Sequence, residues 1–290
     1  MAYLDIIRGS VFLLYVDHGG EFEITDISDF DLVKIFECGQ CFRWNADENG
    51  VYSGVSRGCA ARVRQNGNSV FIKYDDDDFE NVWKDYFDID RDYAHIRRHI
   101  CIDDFMRRAS SFGAGIRILK QDSWEALCSF IISQRNNIPR IKIIIKNLCE
   151  IFGDRFESGG KFFFTFPSAS RLSMLDEASL APLRCGYRAR YILDAARAVA
   201  DGKLDLDALS KVSSLDARAV LKKLRGVGDK VADCVVLFGF NMLDAFPVDV
   251  WVKRAIDTYY NGDFNHTVFD PYGGVAQQYI FYYTRNVKNA

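Results

Sequence analysis

The segment Leu224-Arg225-Gly226-Val227-Gly228-Asp229-Lys230-Val231-Ala232-Asp233-Cys234 leaves this chain few ways to fold. It joins two stretches of helical pattern, Asp216 to Leu224 and Lys230 to Phe240, so the glycines must reverse the chain abruptly. A glycine on each side of one apolar residue permits a tight turn with positive φ, while Val227 can plug into the core and hold the turn rigid. The pattern reads as helix, hairpin, helix. Such a turn leaves backbone N–H groups and the start of the next helix pointing outward, a geometry that binds phosphate without high net charge.

Lys230 falls in the first turn of that next helix, where its charge opposes the helix dipole and the setting favours a nucleophilic amine. Further along, Phe246-Pro247-Val248-Asp249-Val250 places a carboxylate where a helix should begin. Asp249 reads equally as a plain N-cap, and the two roles are compatible. A carboxylate fixed there is expected to stay ionised and to stabilise a nearby cation, such as the sugar formed when a glycosidic bond breaks.

Bulk properties narrow the rest. With 290 residues and 49% hydrophobic content the chain can bury a substantial core. Its longest apolar run, Ser10 to Val16, is too short to cross a bilayer, and the first residues lack a signal-peptide layout, so a soluble, intracellular protein is expected. The formal charge of -3 argues against bulk electrostatic coating of a polyanion. Any such contact must be local, and Lys222, Lys223, Arg225 and Lys230, opposed only by Asp229, supply one basic stretch, with Arg184, Arg188 and Arg190 as another. Of eight cysteines only Cys38 and Cys41 are closely spaced; no second pair or histidine cluster completes a metal set, and no cysteine follows Cys234 to build a terminal cluster loop. Buried free thiols are expected, with no metal and no cofactor.

The first part of the chain reads as strands at Val51 to Ser56, Ala60 to Arg64 and Ser69 to Tyr74, with Asn66-Gly67-Asn68 as a hairpin. Asp75 to Asp78 reads as a loop and cap for a helix carrying Phe79, Val82, Trp83 and Phe87. Helices follow from about Gln121, with Trp124, Leu127, Cys128, Phe130 and Ile131 on one face. Others are expected from Pro139 to Gly153, over Ala189 to Ala200, in the two helices flanking the hairpin, and over Asp249 to Tyr260 and Gly274 to Arg285. The expected fold is α+β: an antiparallel β-rich part over residues 1–115 packed on a helical body over 116–290, whose two helical subdomains flank the active site.

These motifs together closely resemble the 8-oxoguanine DNA glycosylases of the helix-hairpin-helix superfamily, across most of the chain from Gly39 to Phe281. Gly39-Gln40-Cys41-Phe42-Arg43-Trp44 is similar to the segment whose glycine carbonyl accepts the N7–H present in 8-oxoguanine and absent from guanine, a role the resemblance gives to Gly39. Pro271-Tyr272-Gly273-Gly274-Val275-Ala276-Gln277 with Phe281 resembles the pocket helix, in which Gln277 would read the Watson–Crick edge and Phe281 would stack on the base. Cys234 would form the opposite stacking wall, and Phe130 joins the same base-binding set. Ser133 to Arg140 resembles the loop that fills the gap left by an extruded base. Asn136 and Asn137 keep its polar character, although Arg135 stands where eukaryotic members usually carry asparagine. Arg140, Tyr187 and Arg188 match the trio that contacts and wedges beside the opposite cytosine. Gly226 and Gly228 would hold the DNA backbone, and Trp251 replaces a histidine near the substrate phosphate.

The resemblance implies a monomer acting on double-stranded DNA that contains oxidised guanine. Lys230 would attack the sugar, Asp249 would stabilise its cation, and a Schiff base would lead to β-elimination. Two other readings stay open from the residues: a glycosylase for a different lesion, and a non-catalytic helix-hairpin-helix module binding damaged DNA.

Overall fold

Alternation of apolar residues builds the first layer. The computed structural model of the chain describes residues 2–7, 11–74 and 82–287. Strands β1 (Ala2–Ile7), β2 (Val11–Asp17), β3 (Glu21–Thr25), β4 (Asn45–Ala46), β5 (Tyr52–Ser56), β6 (Cys59–Asn66) and β7 (Ser69–Tyr74) form one antiparallel sheet in the order β1-β2-β3-β7-β6-β5-β4. Register puts Phe22 opposite Ile72 and Ile72 opposite Val63, so one face carries a continuous row of buried side chains. Asn66 pairs with Ser69, which makes Gly67-Asn68 the two-residue hairpin loop read from the sequence. The acidic run Asp75 to Asp78 and Phe79 lie outside the described residues.

Short helix α1 (Leu32–Glu37) covers this face, and Trp44 stacks on Phe36 at 4.4 Å while its indole N–H donates to the Tyr86 hydroxyl at 2.8 Å. Within the helix expected to carry Val82, Trp83 and Phe87 the described residues hold α2 (Lys84–Tyr86), and Trp83, Tyr86 and Phe87 fill that aromatic cluster.

The body comprises α3 (Tyr93–Ile100), α4 (Asp104–Gly113), α5 (Ser123–Ser133), α6 (Ile138–Phe152), α7 (Ala169–Ser173), α8 (Arg188–Ala200), α9 (Leu206–Leu209), α10 (Ser214–Leu221), α11 (Asp229–Phe238), α12 (Val250–Tyr259) and α13 (Gly273–Asn286). A two-stranded hairpin, β8 (Arg155–Ser158) with β9 (Lys161–Phe164), interrupts it between α6 and α7. Capping explains where the helices start. Asp122 accepts from the Glu125 N–H before α5, Asn137 accepts from the Arg140 N–H before α6, and Pro139 occupies the first turn of α6.

Two apolar cores result, one under the sheet and one among the helices. The helices α3 and α4, on the N-terminal side of residue 115, put Tyr93, Ile96, Phe105 and Met106 into the second core, and α4 packs along α13. Between the cores the buried Arg117 guanidinium donates to the carbonyls of Asp29 at 2.9 Å, Asp88 at 2.7 Å and Ser28 at 3.2 Å, so the seam is closed by a satisfied polar network. Among the described residues no helix is long and apolar enough to cross a membrane.

Candidate active site

The reversal between α10 and α11 uses its two glycines differently. Gly226 takes φ +79°, and a Cβ there would fall 2.2 Å from a Tyr191 ring carbon. Gly228 does not use the positive φ expected of it. Its φ is −95° with ψ −172°, the extended geometry of an N-cap, and a Cβ there would meet open space. Val227 is buried, as the turn requires. Gly226→Ala is therefore expected to destabilise the fold by about 1–3 kcal/mol, whereas Gly228→Ala should cost far less. Thermal melts of the two variants beside the parent check this; equal losses would remove the distinction.

The basic stretch is more neutralised than its sequence suggests. Asp229 bridges Lys222 at 2.5 Å and Arg218 at 2.8 Å, and those partners hold its carboxyl below the ordinary range. Asp233 also pairs with Arg218 at 2.6 Å, and Asp194 approaches Arg225 at 4.0 Å. Folding brings in acids, Asp233 and Asp194, that lie outside the local run.

Beyond the turn, the start of α11 points Lys230 into a cleft of about 730 Å³ between α5, α11, α12, α13 and the turn after α1. Its ammonium lies 5.2 Å from the centre of the Phe130 ring and donates to Ser133 Oγ at 3.2 Å. Cys234, one turn further along α11, is buried, and burial pushes its thiol up to about 11 against the pull of Lys230. The burial thus favours the neutral thiol.

Asp249 is the N-cap of α12, its Oδ1 accepting from the N–H groups of Val252 at 2.9 Å and Trp251 at 3.0 Å. Burial nevertheless pushes its carboxyl above the ordinary value; the Val252 N–H and the charge of Lys230 pull the other way without cancelling it. The helix start alone therefore does not hold the carboxyl at its ordinary value, because the site is drier than a surface cap. Trp251 enters through its backbone N–H.

On the opposite side, Gly39 sits at φ +80°, with its missing Cβ 3.1 Å from Ile138 and 3.7 Å from the Phe281 ring. Gln277 is buried in α13, and its Oε1 has no hydrogen-bond partner among the described residues. A buried amide oxygen left open costs about 1–3 kcal/mol, which is tolerable where a ligand donor completes it. The cleft thus gathers Lys230, Asp249, Gly39, Phe130, Cys234, Gln277, Phe281, Asn136, Asn137 and Trp251 from five separate stretches of chain.

Gly226, Gly228, Arg140, Tyr187 and Arg188 lie outside its lining. Arg140 reaches the Arg184 carbonyl at 3.3 Å, which joins its loop to the segment before α8, and Tyr187 is exposed. Arg188 is buried and committed: its guanidinium donates to the carbonyls of Gln134, Arg135 and Cys185. Four of its five N–H groups are used in this way, so Arg188 holds the loop on which Arg135, at φ +47°, stands. The sequence reading passed over Ser133 as a helix stop and Gln278 altogether. Only the fold brings the Ser133 hydroxyl to Lys230, and nothing in spacing separates Gln278 from any buried helix residue.

Comparison with known proteins agrees with this geometry. Residues 24–127 match the 8-oxoguanine DNA glycosylase N-terminal domain, and residues 128–267 match the HhH-GPD superfamily of base-excision DNA repair proteins. The N-glycosylase/DNA lyase of Saccharomyces cerevisiae is 33% identical over 253 residues, covering 78% of this chain and 67% of that protein. A structure of MBOgg1 with a low-affinity DNA ligand superposes with TM-score 0.89 at 42% identity, covering 93% of this chain and 97% of that one. The Clostridium acetobutylicum 8-oxoguanine glycosylase/lyase, bound to double-stranded DNA with cytosine opposite 8-oxoguanine, superposes with TM-score 0.88 at 37% identity over the same shares of the two chains. With residues 24–267 matched by these two family models and a relative 33% identical over 78% of its length, the chain belongs to the 8-oxoguanine DNA glycosylase family of the helix-hairpin-helix base-excision repair superfamily.

Proposed function

We propose that this protein, acting as a monomer, excises 8-oxoguanine from double-stranded DNA and then cleaves the strand at the resulting site, preferring lesions opposite cytosine. The observation that carries the reading is the convergence in one cleft of an amine, a carboxylate at a helix start, an open buried amide oxygen and a glycine backbone. All eight cysteines are free, as suits a protein of a reducing, intracellular compartment.

The lesion nucleotide rotates out of the duplex into the cleft at an unstacking cost of roughly a few kcal/mol. Phe281 and Cys234 enclose the base, Gln277 Oε1 accepts from its Watson–Crick edge, and the Gly39 carbonyl accepts N7–H. Guanine offers a lone pair at N7 instead, a mismatch worth on the order of 1–3 kcal/mol. Lys230 Nζ, deprotonated at the moment of attack, bonds to C1′ as the glycosidic electron pair departs with the base. Asp249 stabilises the sugar cation between bond breaking and bond making. Loss of the sugar oxygen from C1′ opens the ring to a Schiff base; removal of a C2′ proton then expels the 3′ phosphate by β-elimination. The hairpin N–H groups at Gly226 and Gly228 hold the backbone, Trp251 lies near the substrate phosphate, and Asn136 and Asn137 occupy the vacated space beside Arg140, Tyr187 and Arg188.

Excision measured on duplexes carrying 8-oxoguanine, guanine, 3-methyladenine and oxidised pyrimidines, each opposite C, A, G and T, tests the assignment. Release of 8-oxoguanine opposite C is expected to be fastest. A faster alkylated base or pyrimidine makes this a glycosylase for another lesion, and no excision at all makes it a binding module. In Arg140→Ala the advantage of cytosine over the other partners should shrink by about 5- to 150-fold, the value of one good base contact. An unchanged preference removes Arg140 from the reader.

A further inference from the structure

The turn that presents Gly39 is held by more than its own backbone. On one side of Gly39, the Cys38 carbonyl accepts from Gln278 Nε2 at 2.7 Å; on the other, the Gln40 carbonyl accepts from Gln121 Nε2 at 2.7 Å. The Gln40 side chain is pinned too, its amide donating to the carbonyls of Arg117 at 2.8 Å and Ile35 at 3.0 Å and accepting from the Leu119 N–H at 2.9 Å. Gln40, Gln121 and Gln278 are all buried, and the Gly39 carbonyl between the two clamped peptides takes none of these bonds. Gln278 also follows Gln277 directly in α13, so one helix turn carries the open amide that faces the cleft and the amide that grips the turn opposite.

We propose that Gln278, with Gln121, is a positioning residue that fixes the direction of the Gly39 carbonyl and thereby sets how well the damaged base is held for excision. A glycine at positive φ has wide freedom of its own, so a carbonyl that must distinguish one N–H needs its two neighbouring peptides immobilised. The inference rests on the reading of Gly39 as the lesion reader.

Its test compares two rates on the same chain under single-turnover conditions: release of 8-oxoguanine opposite C, and strand cleavage at a preformed abasic site, which contains no base. Gln278→Met keeps length and removes the donor; the ratio of base release to abasic cleavage is expected to fall about tenfold. A general loss of structure moves both rates together. Gln278→Glu is the second variant, since a protonated carboxyl donates to the Cys38 carbonyl and a carboxylate cannot. Its ratio, taken relative to the parent's at each pH, should be low at pH 8 and recover as the pH falls toward about 5.5. A parental ratio in folded Gln278→Met, or a ratio in Gln278→Glu that is flat with pH, overturns the proposal. Gly39→Ala separates the two levels. If it lowers the ratio while the Gln278 variants do not, only the positioning role fails; if Gly39→Ala keeps the parental ratio, the reading of Gly39 itself is wrong.

Discussion

Lys230→Gln is expected to form no borohydride-trapped adduct with a duplex carrying 8-oxoguanine, and to release the base at least ~10³-fold more slowly than the parent. The amine stands at the first turn of α11, over the Phe130 ring and within 3.2 Å of Ser133 Oγ, and no other lysine among the described residues that line the cleft occupies that helix. Glutamine preserves a donor toward Ser133 and gives up only the attraction of the ammonium for the Phe130 ring, about 0.5–2 kcal/mol, so the thermal midpoint should stay near the parent's. Loss of chemistry with retained stability separates the nucleophile from a structural or phosphate-binding lysine. A variant that still traps DNA sinks the assignment, because the neighbouring Cys234 thiol, pushed up to about 11, cannot form a Schiff base. Lys253 also lines the cleft, paired with Asp257 at 3.5 Å, and a residual adduct in Lys230→Gln that disappears in the double variant would move the chemistry there.

Asp249→Asn is the second large effect: base release should fall by about 10²–10³-fold with little change in fold. Asparagine caps helices about as well as aspartate, so the bonds from Val252 and Trp251 survive while the charge opposite the sugar cation is lost. The sign of the stability change follows from the raised carboxyl. A group whose folded-state value lies above its unfolded one binds its proton more tightly in the folded chain, so its favourable contribution is present below the unfolded value. That contribution is lost as pH rises through the folded value. At neutral pH the ionised Asp249 therefore weighs against folding, and Asp249→Asn should melt no lower than the parent. The same shift places the acid limb of the parent's pH–rate profile above the ordinary aspartate range, and the variant should lose that limb. A variant that melts lower and keeps its rate would make Asp249 a cap and nothing more.

Much of this was legible along the chain because it is local. The hairpin, Lys230 just after it, the cap at Asp249 and the i, i+4 pair Gln277 and Phe281 each depend on neighbours in sequence, where glycine freedom, capping and helical spacing act directly. The residue roles came from the family resemblance, not from spacing. Other parts were illegible for physical reasons. Whether Gly226 or Gly228 adopts positive φ depends on Tyr191, a residue of α8 that packs across the turn. Whether Arg188 is free depends on the carbonyls of Gln134 and Arg135, delivered by the end of α5. The helices α3 and α4 were legible too, through the caps Asp92 and Asp103 and the helical spacing of Tyr93, Ile96 and Ile100 and of Phe105, Met106 and Ala109, and the sequence reading passed over them.

The sequence by itself therefore determined the reaction machinery in outline: a helix–hairpin–helix with an amine at its exit and a carboxylate at the next helix start. Tertiary structure alone decided the environment of each group. Burial from five separate stretches of chain makes Asp249 a drier carboxyl than a surface cap, leaves Gln277 Oε1 without a partner among the described residues, and holds the turn around Gly39 through glutamines 81 and 240 residues away from the carbonyls they bond. Local rules act over a helical turn, whereas desolvation and long-range hydrogen bonds exist only once distant segments have packed.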